Sequence, residues 1–114
     1  MKEREIQRVI LDWLAAEHVL AFRMNTGAMQ SEYQGKRRFM RFGTPGMADV
    51  LAFPHDTIDP IRQYDVIRPT WLECKANKGK QSELQKSFQQ HVESHGHRYA
   101  ICRSLDDAIR AIKG

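Results

Sequence analysis

The apolar residues near the two ends of the chain recur at helical intervals. Between residues 3 and 17 they are spaced by three or four positions, which predicts a helix with one buried face. A similar pattern in LDDAIRAIK, residues 105–113, predicts a last helix. Ser104 is its expected N-cap, and two acidic residues lie in its first turn, where the helix dipole favours them.

A further helix is predicted over residues 83–95. It begins within SELQ, residues 82–85, a capping-box pattern in which the side chains of Ser82 and Gln85 accept each other's backbone N–H groups. Gly96 has the position of the glycine that ends many helices. The expected buried stripe of this helix is Leu84, Phe88 and Val92.

Short runs rich in β-branched, aromatic and aliphatic residues predict five strands. They cover residues 19–24, 36–43, 48–53, 70–75 and 97–103. The stretch NTGAMQSEYQGKRR is expected to hold turns, and the polar stretch 54–69 is expected to be a connection that extends the strands beside it. The resulting order, α-β-β-β-β-α-β-α, predicts a single α/β domain over residues 1–114. Its mixed central sheet of four or five strands would be flanked by helices.

Composition limits the class of protein. The chain has 114 residues, of which 41% are hydrophobic, so one globular domain is expected. No apolar run is long enough to span a bilayer, and MKEREIQ lacks the apolar region of a signal peptide, so a cytoplasmic protein is expected, in a bacterium or, if viral, its host cell. Two cysteines, both in apolar segments, predict buried, reduced thiols.

The positive charge is unevenly distributed along the chain. The net charge is +4, and the stretch from Tyr33 to Ala48 contains four basic residues and no acidic one. These residues are Lys36, Arg37, Arg38 and Arg41. Such a block is compatible with contacts to phosphates and equally with a solvated loop.

The stretch WLECKANKGKQSELQ raises the question of chemistry. Glu73 and Lys75 lie two apart on a predicted strand and therefore point to the same side, whereas the Cys74 side chain points to the core. Asp49 begins another short strand after the turn GTPG. If these two strands pair, Asp49 and Glu73 meet at one end of the sheet.

Two carboxylates and the Cys74 backbone carbonyl would suit a hard cation such as Mg²⁺ or Mn²⁺. Lys75 would orient an attacking water or stabilise the charge at phosphorus, and its ammonium would hold both carboxylates ionised. Taken alone, an Asp and a Glu-x-Lys form a weak pattern, since most such groups are surface ion pairs.

The surrounding residues make the pattern more specific. Its members are Glu3 and Gln7 on the first helix; Gly43, Pro45, Gly46 and Asp49 at the turn; Glu73 and Lys75; and Gly79, Lys80, Ser82 and Gln85. Over nearly the whole chain this arrangement resembles the PD-(D/E)xK nuclease superfamily and, within it, the VRR-NUC (virus-type replication-repair nuclease) family. One departure is Ala48, where that family usually has proline. This residue shapes the turn and is not a ligand.

The resemblance implies a restriction-endonuclease-like fold and a metal-dependent DNA endonuclease. It implies Mg²⁺ or Mn²⁺ as cofactor, no small-molecule cofactor and no membrane partner. Short stand-alone members resemble Holliday-junction resolvases, so a homodimer acting on branched DNA is expected. In this interpretation the catalytic residues are Asp49, Glu73, Lys75, Gln85 and Glu3. The metal ligands are Asp49, Glu73, Glu3 and the Cys74 carbonyl. The DNA-binding residues are Lys36, Arg37, Arg38, Arg41, Lys78 and Lys80.

Several alternatives stay open at the level of sequence. Glu5 competes with Glu3 for the site, and both would also favour the helix N-terminus electrostatically. Gln85 is explained by its capping box alone. A zinc cluster of His91, His95 and His97 is a weaker alternative, because no further strong ligand follows. An inactive nucleic-acid-binding module and a purely structural domain are the rival functions.

Overall fold

The computed structural model describes residues 1–24, 28–33, 36–41, 44–59, 61 and 64–114, and within 28–33, 36–41, 56–59 and 64–65 it describes the backbone alone. The elements are α1 (Glu3–Ala16), β1 (Leu20–Arg23), β2 (Ala28–Tyr33), β3 (Lys36–Arg41), β4 (Val50–Phe53), β5 (His55–Asp59), β6 (Tyr64–Ile67), β7 (Thr70–Cys74), α2 (Glu83–Ser94), β8 (Arg98–Cys102) and α3 (Leu105–Lys113). None of these described helices is both long and apolar enough to cross a membrane.

The central sheet has four strands in the order β1-β4-β7-β8. Strand β4 pairs antiparallel with β1 and β7, and β8 pairs parallel with β7. Helix α2 connects the two parallel strands, as a parallel pair requires a crossover. The predicted fold class, a mixed central sheet flanked by helices, is confirmed.

Helices cover both faces of this sheet. On one face, Ile10 and Leu14 of α1 are fully buried in a cluster with Leu72 of β7 and residues of α3. On the other face, Trp71 of β7 packs edge to face against Phe88 of α2, with ring centroids 4.9 Å apart. Alternate residues of β7 therefore enter different cores, which is why the whole strand is buried.

The two cysteines lie opposite each other on the parallel strands β7 and β8. Both are free thiols and are buried beneath α1 and α3. Burial raises the pKa of Cys102 to about 12 and also raises that of Cys74. The prediction of reduced, buried thiols is confirmed.

One hairpin differs from the sequence-based prediction, and a second one agrees with the expected extension of the strands beside residues 54–69. Strand β3 pairs with β2, which lies in the stretch predicted to hold turns, and these strands form a sheet of their own. Strands β5 and β6 form a second hairpin within the predicted connection. His55 faces Ile67 three residues beyond the pair Ala52–Thr70, so this hairpin continues the register of β4 and β7.

The first turn of α2 also differs from the prediction. Phe88 and Val92 are buried as expected, but Leu84 is 59% exposed. Here the helix approaches the turn before β4 by its backbone, because Gly46 lies directly against the carbonyl of Leu84. Gly46 has φ +82°, a conformation that favours glycine. The wrong prediction for Leu84 arises because this turn of α2 packs on a loop.

We expect Gly46→Ala to destabilise the protein more than Gly96→Ala. Both glycines have positive φ, so a side chain costs about 1–2 kcal/mol at either position. A Cβ at Gly96 meets nothing within 4 Å, whereas one at Gly46 would overlap the Leu84 carbonyl and approach the Gln85 nitrogen to 2.9 Å. Urea unfolding of both variants measures the difference, and equal losses would contradict this close approach.

Candidate active site

Asp49 and Glu73 meet at one end of the central sheet. The register of β4 and β7 places Asp49 opposite Glu73, one step beyond the last paired residues. The Asp49 carbonyl accepts the Met24 N–H at 2.7 Å, and its Oδ2 accepts the Cys74 N–H at 2.8 Å. Asp49 is therefore fixed between the end of β1 and β7, and the condition set by the sequence, that its strand pairs with the Glu73 strand, is met.

The Glu73 carboxylate is buried and incompletely satisfied. The residue is 3% exposed. Its Oε1 accepts a hydrogen bond from Gln85 Nε2 at 2.9 Å, whereas Oε2 is buried and is reached by no N–H or O–H donor of the described residues. The Asp49 carboxyl lies within hydrogen-bonding reach of the Glu73 carboxyl, so the two groups can share a proton. A buried, unpaired carboxylate oxygen is costly, so a position of this kind suggests a missing ligand.

Gln85 combines two roles that the sequence presented as alternatives. Its backbone N–H donates to Ser82 Oγ at 3.1 Å, and its side-chain Oε1 accepts the Ser82 N–H at 2.8 Å. The same amide donates through Nε2 to Glu73. The capping box therefore fixes the rotamer that holds the carboxylate, and one amide hydrogen remains available.

Burial changes the protonation of the carboxylate pair. Desolvation is the largest cause that raises the pKa of Asp49, and desolvation followed by the charge of Asp49 raises the pKa of Glu73 to about 8. Lys75 lowers both pKa values but is outweighed. The expectation that Lys75 holds both carboxylates ionised is therefore wrong for Glu73, because burial and the charge of Asp49 exceed the attraction of Lys75.

Lys75 and Glu3 lie beside this pair. Lys75 is buried and follows Glu73 by two residues, on the same side of the chain. A Cβ on Gly79 would lie 3.4 Å from Lys75 Cδ and 3.5 Å from Glu3 Oε1, so these side chains share one small space. Glu5 instead accepts the Lys2 N–H at 3.3 Å. Glu3, not Glu5, is thus the carboxylate of α1 near the site.

The donor atoms at this end of the sheet fit a hard cation. The N–H and C=O of one strand residue point to the same side, so the Cys74 carbonyl faces Asp49 as its N–H does. Two carboxylates, a carbonyl and water are ligands that Mg²⁺ accepts, and Glu73 Oε2 is unpartnered within the described chain. Across the described residues no three His, Cys, Asp or Glu side chains form a ligand set.

The histidines proposed as a zinc alternative do not converge. The rings of His91 and His95 contact each other edge to face, with centroids 4.9 Å apart. His97 accepts a hydrogen bond from Trp71 Nε1 at its Nδ1, at 3.0 Å. This bond anchors the indole of the α2-side core, which gives His97 a structural role.

The predicted DNA-binding residues are only partly described. Lys78 and Lys80 are exposed in the segment after β7. The side chains of Lys36, Arg37, Arg38 and Arg41 lie outside the described residues, although their backbone forms β3.

Arg103 is a residue of the site region that sequence reasoning missed. Its Nη1 donates to the carbonyls of Ala76 and Gly79, at 2.8 Å each. These carbonyls bracket the turn that follows Lys75 and contacts Glu3. No local sequence pattern predicts this role, because Arg103 contacts a loop that lies 24 to 27 residues earlier in the chain.

No protein-family model, curated protein or solved structure matches the chain. The geometry around Asp49 and Glu73 is therefore the basis on which a function can be proposed.

Without divalent cations, we expect the stability of the protein to fall as pH rises from about 4.5 toward about 8. The folded pKa of Glu73 is raised above its ordinary value of 4.5, so the folded state binds more protons in this window and loses that advantage as pH rises. Glu73→Gln, which mimics the protonated acid, should flatten this dependence. Thermal unfolding across pH in EDTA measures it, and identical pH profiles for the two proteins would contradict it.

We expect Arg103→Gln to loosen the turn at residues 76–79. The guanidinium supplies charge-assisted hydrogen bonds to two of its carbonyls, which neutral glutamine cannot replace in the same geometry. Amide hydrogen exchange should quicken at residues 76–79 and not in α1. The matched control is Arg110→Gln, which removes an exposed arginine paired with Asp107. Unchanged amide exchange in the Arg103 variant would show that the turn stays ordered without these hydrogen bonds.

Proposed function

We propose that this protein is a Mg²⁺- or Mn²⁺-dependent endodeoxyribonuclease, of the kind represented by the VRR-NUC family that its sequence resembles. The observation that supports this most is the buried Glu73 Oε2, which no N–H or O–H donor of the described residues reaches and which lies on the carboxylate opposite Asp49. A structural ion pair would satisfy both oxygens of a buried carboxylate. A metal-binding carboxylate keeps one oxygen for the cation.

Asp49, Glu73 and the Cys74 carbonyl would hold the cation, and Glu3 adds negative charge beside them. When bound, Mg²⁺ or Mn²⁺ supplies Lewis-acid stabilisation of the phosphoryl oxygens. The raised pKa values fit this interpretation, because a cation would offset the repulsion between the buried Glu73 carboxylate and the half-buried Asp49 carboxylate.

The remaining residues position the reactants. Lys75, a buried cation on the same side of the chain as Glu73, orients the attacking water and stabilises negative charge that develops around phosphorus. Gln85 holds the Glu73 rotamer through Nε2 and keeps one amide hydrogen for the water. Hydrolysis adds this water to phosphorus and breaks one P–O bond of the phosphodiester.

The substrate and assembly follow from the same resemblance. We propose branched DNA as the preferred substrate and a homodimer whose two sites make paired cuts. Lys78 and Lys80, both exposed beside the site, and the basic residues Lys36, Arg37, Arg38 and Arg41 would contact the flanking phosphates without reading sequence. The cytoplasm is the proposed compartment.

We expect metal-dependent cleavage that Glu73→Gln abolishes. A labelled four-way junction and a linear duplex of the same sequences are incubated with protein in Mg²⁺, Mn²⁺ or EDTA. The matched control is Glu93→Gln, the same change at an exposed glutamate of α2. Glu73→Gln should lose at least about 10²-fold in rate, as removal of a group that stabilises transition-state charge does, and should retain DNA binding.

The pattern of cleavage separates the parts of the proposal. Cuts at the junction alone support a resolvase-like enzyme, and cuts in both substrates retain the nuclease while removing the branch preference. Binding without metal-dependent cleavage would contradict the proposed activity and favour an inactive binding module. Cleavage by Glu73→Gln at the parent rate would contradict the site.

A further inference from the structure

Three arginines line a cavity between α1 and β1. The cavity has a volume of about 260 Å³. Its lining residues are Arg4, Gln7, Arg8, Leu11, Asp12 and Arg23. Arg4 and Arg8 are one helical turn apart and therefore share a face of α1, and Arg23 ends β1. Three guanidinium groups against one carboxylate give this cavity a positive charge.

These guanidinium groups have no partners within the described protein. No hydrogen bond or ion pair joins Arg4, Arg8 or Arg23 to another described residue, and all three are exposed. By contrast, Arg110 and Lys113 of α3 each pair with a carboxylate. Like charges that line one cavity repel each other. A bound anion would offset this repulsion and accept hydrogen bonds from the guanidinium groups.

The cavity and the candidate active site share one end of the central sheet and the first turns of α1. Arg23 pairs with Val50, the residue after Asp49, and the next residue of the chain donates its N–H to the Asp49 carbonyl. Gln7 follows Glu3 by one turn of α1, and Glu3 raises the pKa of both site carboxylates through its charge. Arg23 therefore lies on the α1 side of the sheet with Val50, and the carboxylate pair stands at the same end of that sheet, on its α2 side.

We infer that this arginine cavity binds a backbone phosphate of the DNA strand whose scissile phosphate lies at Asp49 and Glu73. This inference rests on the proposed function for the identity of the strand. At about 260 Å³ the cavity lies below the range typical of drug-sized ligands. Guanidinium groups match the paired oxygens of a phosphate geometrically. The cavity fixes where the strand runs and carries no sequence preference.

The test compares two double variants, each made with Glu73→Gln so that DNA stays uncut. Arg8→Gln with Arg23→Gln removes two cavity arginines, and Lys86→Gln with Arg110→Gln removes the same charge from exposed residues elsewhere. Affinity for a fluorescent duplex is measured against salt concentration. The cavity variant should bind about tenfold more weakly, and its slope of log affinity against log salt should flatten by about 0.9, the value for one phosphate contact. The control should match the parent.

Each outcome decides a different point. Equal losses in both double variants would show a general charge effect and overturn the inference, as would parent-like binding by the cavity variant. If the protein with Glu73 intact cuts DNA and the cavity variant binds normally, the inference alone fails. If the protein with Glu73 intact never cuts DNA, but the cavity variant binds more weakly and with a flatter salt dependence, the proposed activity fails and phosphate binding by the cavity stands. Circular dichroism checks that each variant is folded.

Discussion

The site depends on one constraint, the placement of the buried Glu73 carboxylate opposite the half-buried Asp49 carboxylate at the end of β4 and β7. Taking Glu73 and Asp49 out of water raises the pKa of both, and Lys75 does not offset this. The main chain resists relaxation, because Asp49 is bonded to β1 through its carbonyl and to β7 through its carboxylate. The charge therefore has to be neutralised by a proton or by a cation, and this requirement connects the fold to the proposed metal chemistry.

Several contacts from other parts of the chain hold the residues around Asp49 and Glu73 in place. Gly46 lets the backbone of α2 approach closely enough for Gln85 to reach Glu73. Arg103 holds the turn after Lys75, and that turn contacts Glu3. These residues come from different parts of the chain, so the carboxylate pair is supported by the tertiary structure and not by one local motif. The arginine cavity beside the pair would extend the same region into a path for a DNA strand.

The sequence predicted the elements with strong periodicity and the partners that lie close in the chain. The helices and the strands of the central sheet follow from apolar spacing and turn residues, whereas the pairing of the Asp49 and Glu73 strands was only a condition that the structure meets. Strand β2 was missed because its sequence is mostly polar and its pairing is supplied by β3. Arg103 was missed because its contacts span the chain. The protonation of Glu73 was misjudged because burial, which outweighs Lys75, depends on the finished fold.

The most direct test of the central claim is a crystal structure grown with Mn²⁺ and measured for anomalous scattering at the manganese edge. The account predicts an anomalous peak between Asp49 and Glu73, with Glu73 Oε2 and the Cys74 carbonyl among its ligands and no peak there in Glu73→Gln crystals. A Glu73 carboxylate that stays unliganded in the presence of Mn²⁺, with manganese absent or bound elsewhere, would contradict the claim.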